Sequence, residues 1–139
     1  MTQIDFYTHV SDKLRTVCQL VAKAYERKLK ALVFTPDVST SSQLDTMLWT
    51  TSAIGFIPHA LAGNDIAQET PIIIDHQGET LNHDDVLINL RAEWPPFFSR
   101  FQRLIEVVSM EESDRLAARE RYTFYRDRGY PIKSHNLGS

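Results

Sequence analysis

Four residues near the C-terminal end of the chain have the types and the spacing to bind an anion. They recur at intervals of three or four positions and are Arg115, Arg119, Tyr122 and Arg126. Because successive residues of an α-helix are about 100° apart, these side chains share one sector of a helix. A different face, predicted to dock on the core, carries Leu116, Ala117 and Phe124. The pattern therefore predicts cations and an aromatic ring displayed either as a binding surface or as a solvated face.

The histidines do not form a set with the spacing of a catalytic or metal site. His83 precedes two aspartates, but adjacent residues of a strand point to opposite faces, so we interpret this segment as a solvated loop. We interpret His59 as a loop-capping or interface residue, because no serine elbow or second metal ligand accompanies it. The histidines interpreted as surface residues are His9, His76 and His135. The sequence thus predicts neither an enzyme nor a metal site.

The turn expected after the first strand, residues 8–12, contains no glycine. A dinucleotide site needs glycine at this turn, where the backbone approaches the pyrophosphate. The sequence also lacks the G-x-x-x-x-G-K-[ST] motif of nucleoside triphosphate sites. We therefore predict that the protein has no nucleotide site and needs no cofactor.

Composition and charge predict one domain over residues 1–139. With 42% hydrophobic residues, 24% charged residues and a formal net charge of -3, the chain is typical of globular proteins and unlike a bulk polyanion binder. The lone cysteine, Cys18, is spaced with apolar neighbours and is predicted to be a buried, reduced thiol. No apolar run approaches the roughly 18 residues of a membrane span, so the cytoplasm is the predicted location.

Strands and helices are predicted to alternate along the chain. The predicted strands are 4–7, 31–34, 71–75, 86–90 and 104–108. The predicted helices run from a cap at 11 or 12 to about 28, over 43–49 with Ser41 as cap, over 94–101, and from a capping box at 109–112 to about 128 before Gly129. The first two strands are expected to pair in parallel through a right-handed crossover. This alternation predicts an α/β fold with a mostly parallel central sheet.

Several segments, in the same order, resemble the chi subunits of bacterial DNA polymerase III. They are Leu48-Trp49, Phe56-Ile57-Pro58-His59, Ala62-Gly63, Val86-Leu-Ile-Asn-Leu90, and Ala118-Arg-Glu-Arg-Tyr122 followed by Tyr125-Arg126. Together they cover most of the chain. The loop from Gly63 to Thr70 and the C-terminal tail match least well.

The resemblance implies a noncatalytic accessory subunit of the clamp-loader complex, with a Rossmann-like three-layer fold and no bound nucleotide. Chi subunits are adaptors that bind the psi subunit on one surface and the acidic C-terminal tail of single-stranded DNA-binding protein on another. Nucleic acid would then be contacted mainly indirectly, through that protein. The resemblance also implies alternative pairing with a helicase of the DNA-damage response.

Matched residue by residue, the resemblance places tail binding at Arg115, Arg119 and Tyr122, with contributions from Trp49 and Val108. A tail ending in phenylalanine presents an apolar ring beside a carboxylate, and arginine offers the carboxylate a planar pair of donors. Chi subunits often have lysine where this chain has Arg115, so charge is kept while geometry changes. The residues matched to the psi-binding surface are Phe56, Ile57, Pro58 and His59.

Other interpretations of these residues remain open from the sequence. Phe56 and Ile57 also suit an ordinary edge strand, and Trp49 also suits core packing. A nucleic-acid-binding α/β module would instead contact phosphates directly, through Arg115, Arg119, Arg121, Arg126 and Arg128. Three acidic residues interrupt that basic surface, namely Asp114, Glu120 and Asp127.

Overall fold

A computed structural model of the chain describes residues 2–50, 59–61, 70–77 and 83–138. The strands are β1 (Gln3–Val10), β2 (Ala31–Phe34), β3 (His59–Leu61), β4 (Ile72–Asp75), β5 (Val86–Asn89), β6 (Arg103–Ser109) and β7 (Ile132–Asn136). The helices are α1 (Lys13–Glu26), α2 (Val38–Thr50) and α3 (Glu112–Asp127), and a short 3-10 turn spans Phe98–Arg100.

The seven strands form one sheet in the order β3-β4-β2-β5-β6-β1-β7, and every neighbouring pair is parallel. Buried side chains of α1 and α2 pack on one face, and those of α3 and the 3-10 turn pack on the other. The predicted α/β class, with a Rossmann-like three-layer arrangement, is confirmed.

The expected pairing of the first two strands is wrong. β1 and β2 are parallel, but β5 and β6 lie between them. All four residues of β5 are buried, as are five consecutive residues of β6, so these strands belong in the centre of the sheet. β1 has polar and half-buried positions and lies nearer the edge, beside the largely exposed β7.

The ends of α1 and α3 follow the predicted signals more closely than those of α2. Asp12 caps α1 by accepting a hydrogen bond from the backbone N–H of Arg15 at 3.2 Å. Gly129, with φ of +83°, follows the end of α3 as predicted. α2 begins earlier than expected, because Asp37 Oδ1 accepts from the Thr40 N–H at 2.7 Å. The predicted cap, Ser41, is instead buried and hydrogen-bonded to Thr35.

Two other local predictions are wrong. Residues 94–101 contain no α-helix but two successive turns, one closed by the Phe98 N–H donating to the Pro95 carbonyl and then the 3-10 turn at Phe98–Arg100. The capping box at 109–112 does not form, because Ser109 donates its backbone N–H to Asp114 Oδ2 at 2.8 Å. The missed strands are β3 and β7, which lie at the two edges of the sheet.

Two histidines that were interpreted as surface residues have buried partners. His83 is 1% exposed and its Nε2 lies 2.6 Å from the Thr70 carbonyl oxygen, so the solvated-loop interpretation is wrong. Burial lowers the pKa of this imidazole. His135 stacks on Tyr7 and lies 3.1 Å from Asp5 Oδ1, so it is not isolated.

The predicted environment of Cys18 is confirmed. The thiol is free and 3% exposed, and burial raises its pKa to about 11. Among the described residues, no helix combines the length and the apolar character required to cross a membrane.

We expect Asp114→Asn to lower the free energy of unfolding by about 1–2 kcal/mol at neutral pH. Lys13 Nζ lies 3.0 Å from Asp114 Oδ2 and joins the beginnings of α1 and α3. Burial opposes ionisation of Asp114, but the Ser109 N–H and the Lys13 charge outweigh it and hold the pKa below its ordinary value. The ionised Asp114 therefore contributes to the free energy of unfolding above its ordinary pKa of about 4. This contribution is lost as the pH falls through the lowered pKa.

Urea unfolding of the wild type and of Asp114→Asn between neutral and strongly acidic pH measures this effect. The difference between the two proteins should shrink toward acid. A difference that stays constant with pH would contradict the assignment. Asp127→Asn is the matched control, because its ion pair with Arg126 is about 60% exposed and should contribute less than about 0.5 kcal/mol.

Candidate functional site

Helix α3 displays the predicted cationic stripe but docks on the sheet through a different face than expected. Its buried residues are Ala118, Arg121 and Tyr125. The stripe of Arg115, Arg119, Tyr122 and Arg126 is exposed, as predicted. Leu116 is 50% exposed, so the prediction that it docks on the core is wrong.

A carboxylate in the middle of β6 explains this orientation of α3. Glu106 is fully buried, and three side chains donate hydrogen bonds to it. Arg121 Nε donates to Oε1 at 3.0 Å, Tyr125 OH donates to Oε2 at 2.6 Å, and Asn89 Nδ2 lies 3.1 Å from both oxygens. Burial raises the pKa of Glu106, whereas the donors favour the carboxylate. The face of α3 that carries Arg121 and Tyr125 therefore packs on the sheet, and the stripe lies on an adjacent, exposed face of the helix.

Three residues of the stripe, Arg115, Arg119 and Tyr122, border a pocket of about 230 Å³ between α3 and the strands β1, β6 and β7. We call it the α3 pocket, and its lining residues are Phe6, Thr8, His9, Val108, Arg115, Ala118, Arg119, Tyr122 and Ser134. Phe6, Val108 and Ala118 are each less than 10% exposed and form an apolar floor. The Tyr122 ring is 37% exposed and lies 5.5 Å from the Phe6 ring, so it forms a wall.

A bulge in β1 shapes one edge of the α3 pocket. Between Tyr7 and Val10, β1 advances three residues while its partner β6 advances two. His9 lies within this bulge and has a φ of 59°, a conformation in which histidine is more frequent than most residues. The end of the chain crosses this point, since Leu137 N–H donates to the Thr8 carbonyl and a Cβ on Gly138 would lie 2.6 Å from His9 Cβ.

The charges and the floor of the α3 pocket suit a ligand with both an apolar and an anionic group. Arg115 and Arg119 are one helical turn apart and both are exposed, so they can reorient toward an anion. Each guanidinium can donate two parallel hydrogen bonds to a carboxylate. An aromatic or aliphatic side chain would meanwhile lie on Phe6 and Val108 and be removed from water.

Four of the five residues predicted to bind the tail meet in the α3 pocket: Val108, Arg115, Arg119 and Tyr122. The fifth, Trp49, does not. It lies on α2, is 57% exposed, and its ring is 4.8 Å from that of His59. The structure therefore groups Trp49 with the other predicted surface, at the β3 edge of the sheet.

Of the residues matched to the psi-binding surface, only His59 lies within the described part of the chain, and Phe56, Ile57 and Pro58 lie outside it. His59 belongs to β3 rather than to a loop, which corrects the loop-capping interpretation. Its side chain is fully buried, with Nε2 3.2 Å from Asp45 Oδ1 on α2. His59 is therefore positioned to hold α2 and Trp49 against the sheet edge.

Comparison with known proteins matches residues 1–133 to the family model described as DNA polymerase III chi subunit, HolC. The chain belongs to the chi subunit family. It is 38% identical to DNA polymerase III subunit chi of Pseudomonas aeruginosa, over 99% of this chain and 98% of that protein. Identity is 32% with the subunit chi of Haemophilus influenzae, over 87% of this chain and 85% of that protein. Identity is 31% with the subunit chi of Escherichia coli, over 85% of this chain and 81% of that protein. These relatives support an accessory role in DNA replication.

The resemblance to chi subunits noted from the sequence is thus confirmed, but that resemblance omitted part of the α3 pocket. Phe6, Thr8, His9 and Ser134 line it from distant parts of the chain. One signal was available for the buried cluster under α3: Glu106 interrupts an otherwise apolar strand, and a charged residue in such a run requires partners. No comparable signal marks Ser134, because β7 is a short, largely exposed edge strand.

Proposed function

We propose that this chi-family protein is a noncatalytic adaptor of the DNA polymerase III clamp-loader complex in the bacterial cytoplasm. One surface would bind the acidic C-terminal tail of single-stranded DNA-binding protein, and another would bind the psi subunit or, alternatively, a helicase of the DNA-damage response. The observation that carries the proposal is the α3 pocket, in which an apolar floor is bordered by Arg115 and Arg119.

The chemistry of the pocket matches the end of such a tail. A terminal phenylalanine ring would lie on Phe6 and Val108, against Tyr122, while its carboxylate would be bound by Arg119. A depression beside the pocket is bordered by Glu112, Arg115, Leu116 and Arg119. There Arg115 would pair with the acidic residues that precede the phenylalanine of the tail.

The separation of the two surfaces supports an adaptor. Trp49 and His59 lie at the β3 edge of the sheet. The α3 pocket opens at β1 and β7, toward the opposite edge. β3 and β1 are five strand spacings apart, which corresponds to roughly 24 Å. This separation supports the proposal that two partners bind at the same time, one at each place.

The position of the arginines weighs against direct phosphate binding by the terminal helix. Arg121 is buried against Glu106, and the Arg128 guanidinium lies over the Phe124 ring at 3.7 Å. Arg126 forms an ion pair with Asp127. The basic surface of α3 is therefore smaller than its sequence indicates.

Calorimetric titration with the C-terminal peptide of the cognate single-stranded DNA-binding protein tests the proposal. We expect one peptide to bind per chain, with an affinity that falls as salt rises because the arginines are exposed. Adding saturating psi should leave the peptide affinity unchanged within about twofold, because we propose that psi binds at the β3 edge, away from the α3 pocket.

The control peptide keeps the acidic residues but ends in an alanine amide, and it should bind far more weakly. Equal binding of the two peptides would exclude recognition of the terminal residue. Displacement of the tail peptide by psi would exclude the adaptor arrangement.

A further inference from the structure

A second group of cations lies on the α1 face of the sheet, opposite the α3 pocket. It borders a depression of about 220 Å³ between the last turns of α1 and strands β1, β6 and β7. We call this depression the basic groove and define it by its basic residues, Lys23, Arg27, Arg103, Lys133 and His135. They come from three separate elements, so their convergence is a product of the fold rather than of a charged run in the sequence.

Positive charge exceeds negative charge in the basic groove. The one acidic lining residue, Asp5, is 4% exposed and lies near Arg103 Nε and His135 Nε2, at 3.4 and 3.1 Å. Lys23, Arg27 and Lys133 are exposed, and none of them forms an ion pair with the residues that the structure describes. Three cations are therefore free to bind an anion, although the whole chain has a net charge of -3.

The basic groove also contains a planar aromatic surface. The rings of Tyr7 and His135 are stacked, with centroids 4.6 Å apart and planes at 19°. Apolar side chains of α1 and β6 lie beneath, including Leu20, Ala24 and Ile105. A groove that combines exposed cations with aromatic rings is typical of proteins that bind single strands, because phosphates pair with the cations and bases stack on the rings.

Strand β7 relates the basic groove to the α3 pocket. Successive side chains of a strand point to opposite faces, so Ser134 lines the α3 pocket while Lys133 and His135 line the groove. A partner bound in one site would lie directly across the sheet edge from a ligand in the other.

We propose that the basic groove binds single-stranded nucleic acid, with phosphates at Lys23, Arg27 and Lys133 and a base against the Tyr7–His135 pair. An acidic peptide would also carry negative charge, but it has no base to stack against the Tyr7–His135 pair. The groove is independent of the α3 pocket, and binding there does not require the tail peptide.

Fluorescence anisotropy with a labelled oligothymidylate of about 15 nucleotides, in about 50 mM salt, tests this proposal. We expect the full chain to bind, and the double variant Arg27→Glu, Lys133→Glu to bind at least about tenfold more weakly. Loss of two phosphate contacts should also reduce the slope of log affinity against log salt by about 1.4.

The control is the double variant Arg15→Glu, Arg126→Glu, which changes the net charge equally at exposed positions outside the groove. It should retain most of the affinity, and both double variants should keep the urea midpoint of the wild type. Absence of binding by the wild type, or equal loss in both variants, would overturn the proposal. Competition by polyglutamate as effective as that by unlabelled oligothymidylate would assign the groove to an acidic peptide instead.

Discussion

Replacing Arg119 with alanine should weaken binding of the tail peptide by roughly 30-fold or more, which corresponds to about 2 kcal/mol. Arg119 lies in the middle of the α3 stripe and borders both the α3 pocket and the depression beside it. It is therefore placed to bind the terminal carboxylate while the apolar end of the peptide is buried, and removal of the guanidinium leaves that charge unpaired. Calorimetry with the same peptide measures the loss.

Arg126→Ala is the matched control for this prediction. Arg126 belongs to the same helix and stripe and is exposed, but it does not line the pocket and pairs with Asp127. Its replacement should change the affinity by no more than about twofold, and both variants should unfold within about 0.5 kcal/mol of the wild type. If Arg119→Ala and Arg126→Ala bind the peptide equally well, the α3 pocket is not the tail site.

Arg121→Ala should have the largest effect on stability, a loss of about 3–5 kcal/mol. The guanidinium is 1% exposed, and it donates to Glu106 at 3.0 Å and to the Ala92 carbonyl at 2.7 Å. Without it, the Glu106 carboxylate is left buried without a countercharge. This is a large part of the 5–15 kcal/mol typical of a domain, and urea unfolding measures it.

Two variants separate the charge effect from a general effect of truncating an arginine. Arg119→Ala removes the same residue type two positions away on an exposed face and should leave the unfolding free energy nearly unchanged. The double variant Glu106→Gln, Arg121→Met removes both charges. Its loss in free energy of unfolding should be smaller, by about 1.5–3 kcal/mol, than the summed losses of the two single variants. Additive losses would contradict a coupled buried pair.

The layered fold could be predicted from the sequence where apolar patterns were long or dense. β2 and β4 are short apolar runs that are buried on both faces, and α1 repeats apolar residues every three or four positions. The edge strands were missed for a physical reason. β7 needs to cover little of the core, so Lys133, Ser134 and Asn136 leave no alternating apolar signal.

Helix spacing predicted only the part of the candidate site that α3 supplies, and the resemblance to chi subunits added Val108 on β6. Spacing within α3 was sufficient to bring Arg115, Arg119 and Tyr122 together, but spacing cannot show what lies under a helix. The rotation of α3 depends on Glu106, a residue in another element, and the floor depends on Phe6. Long-range pairings of this kind are set by the sheet order, which local patterns do not determine.

The position of β1 between β6 and β7 also determines when during translation the α3 pocket can form. The residues of β1 are synthesised before both of its neighbouring strands, which are residues 103–109 and 132–136. Synthesis must therefore proceed through residue 136 before the strand that carries Phe6 has both of its neighbours. A nascent chain that still lacks residues 132–136 therefore has no complete α3 pocket.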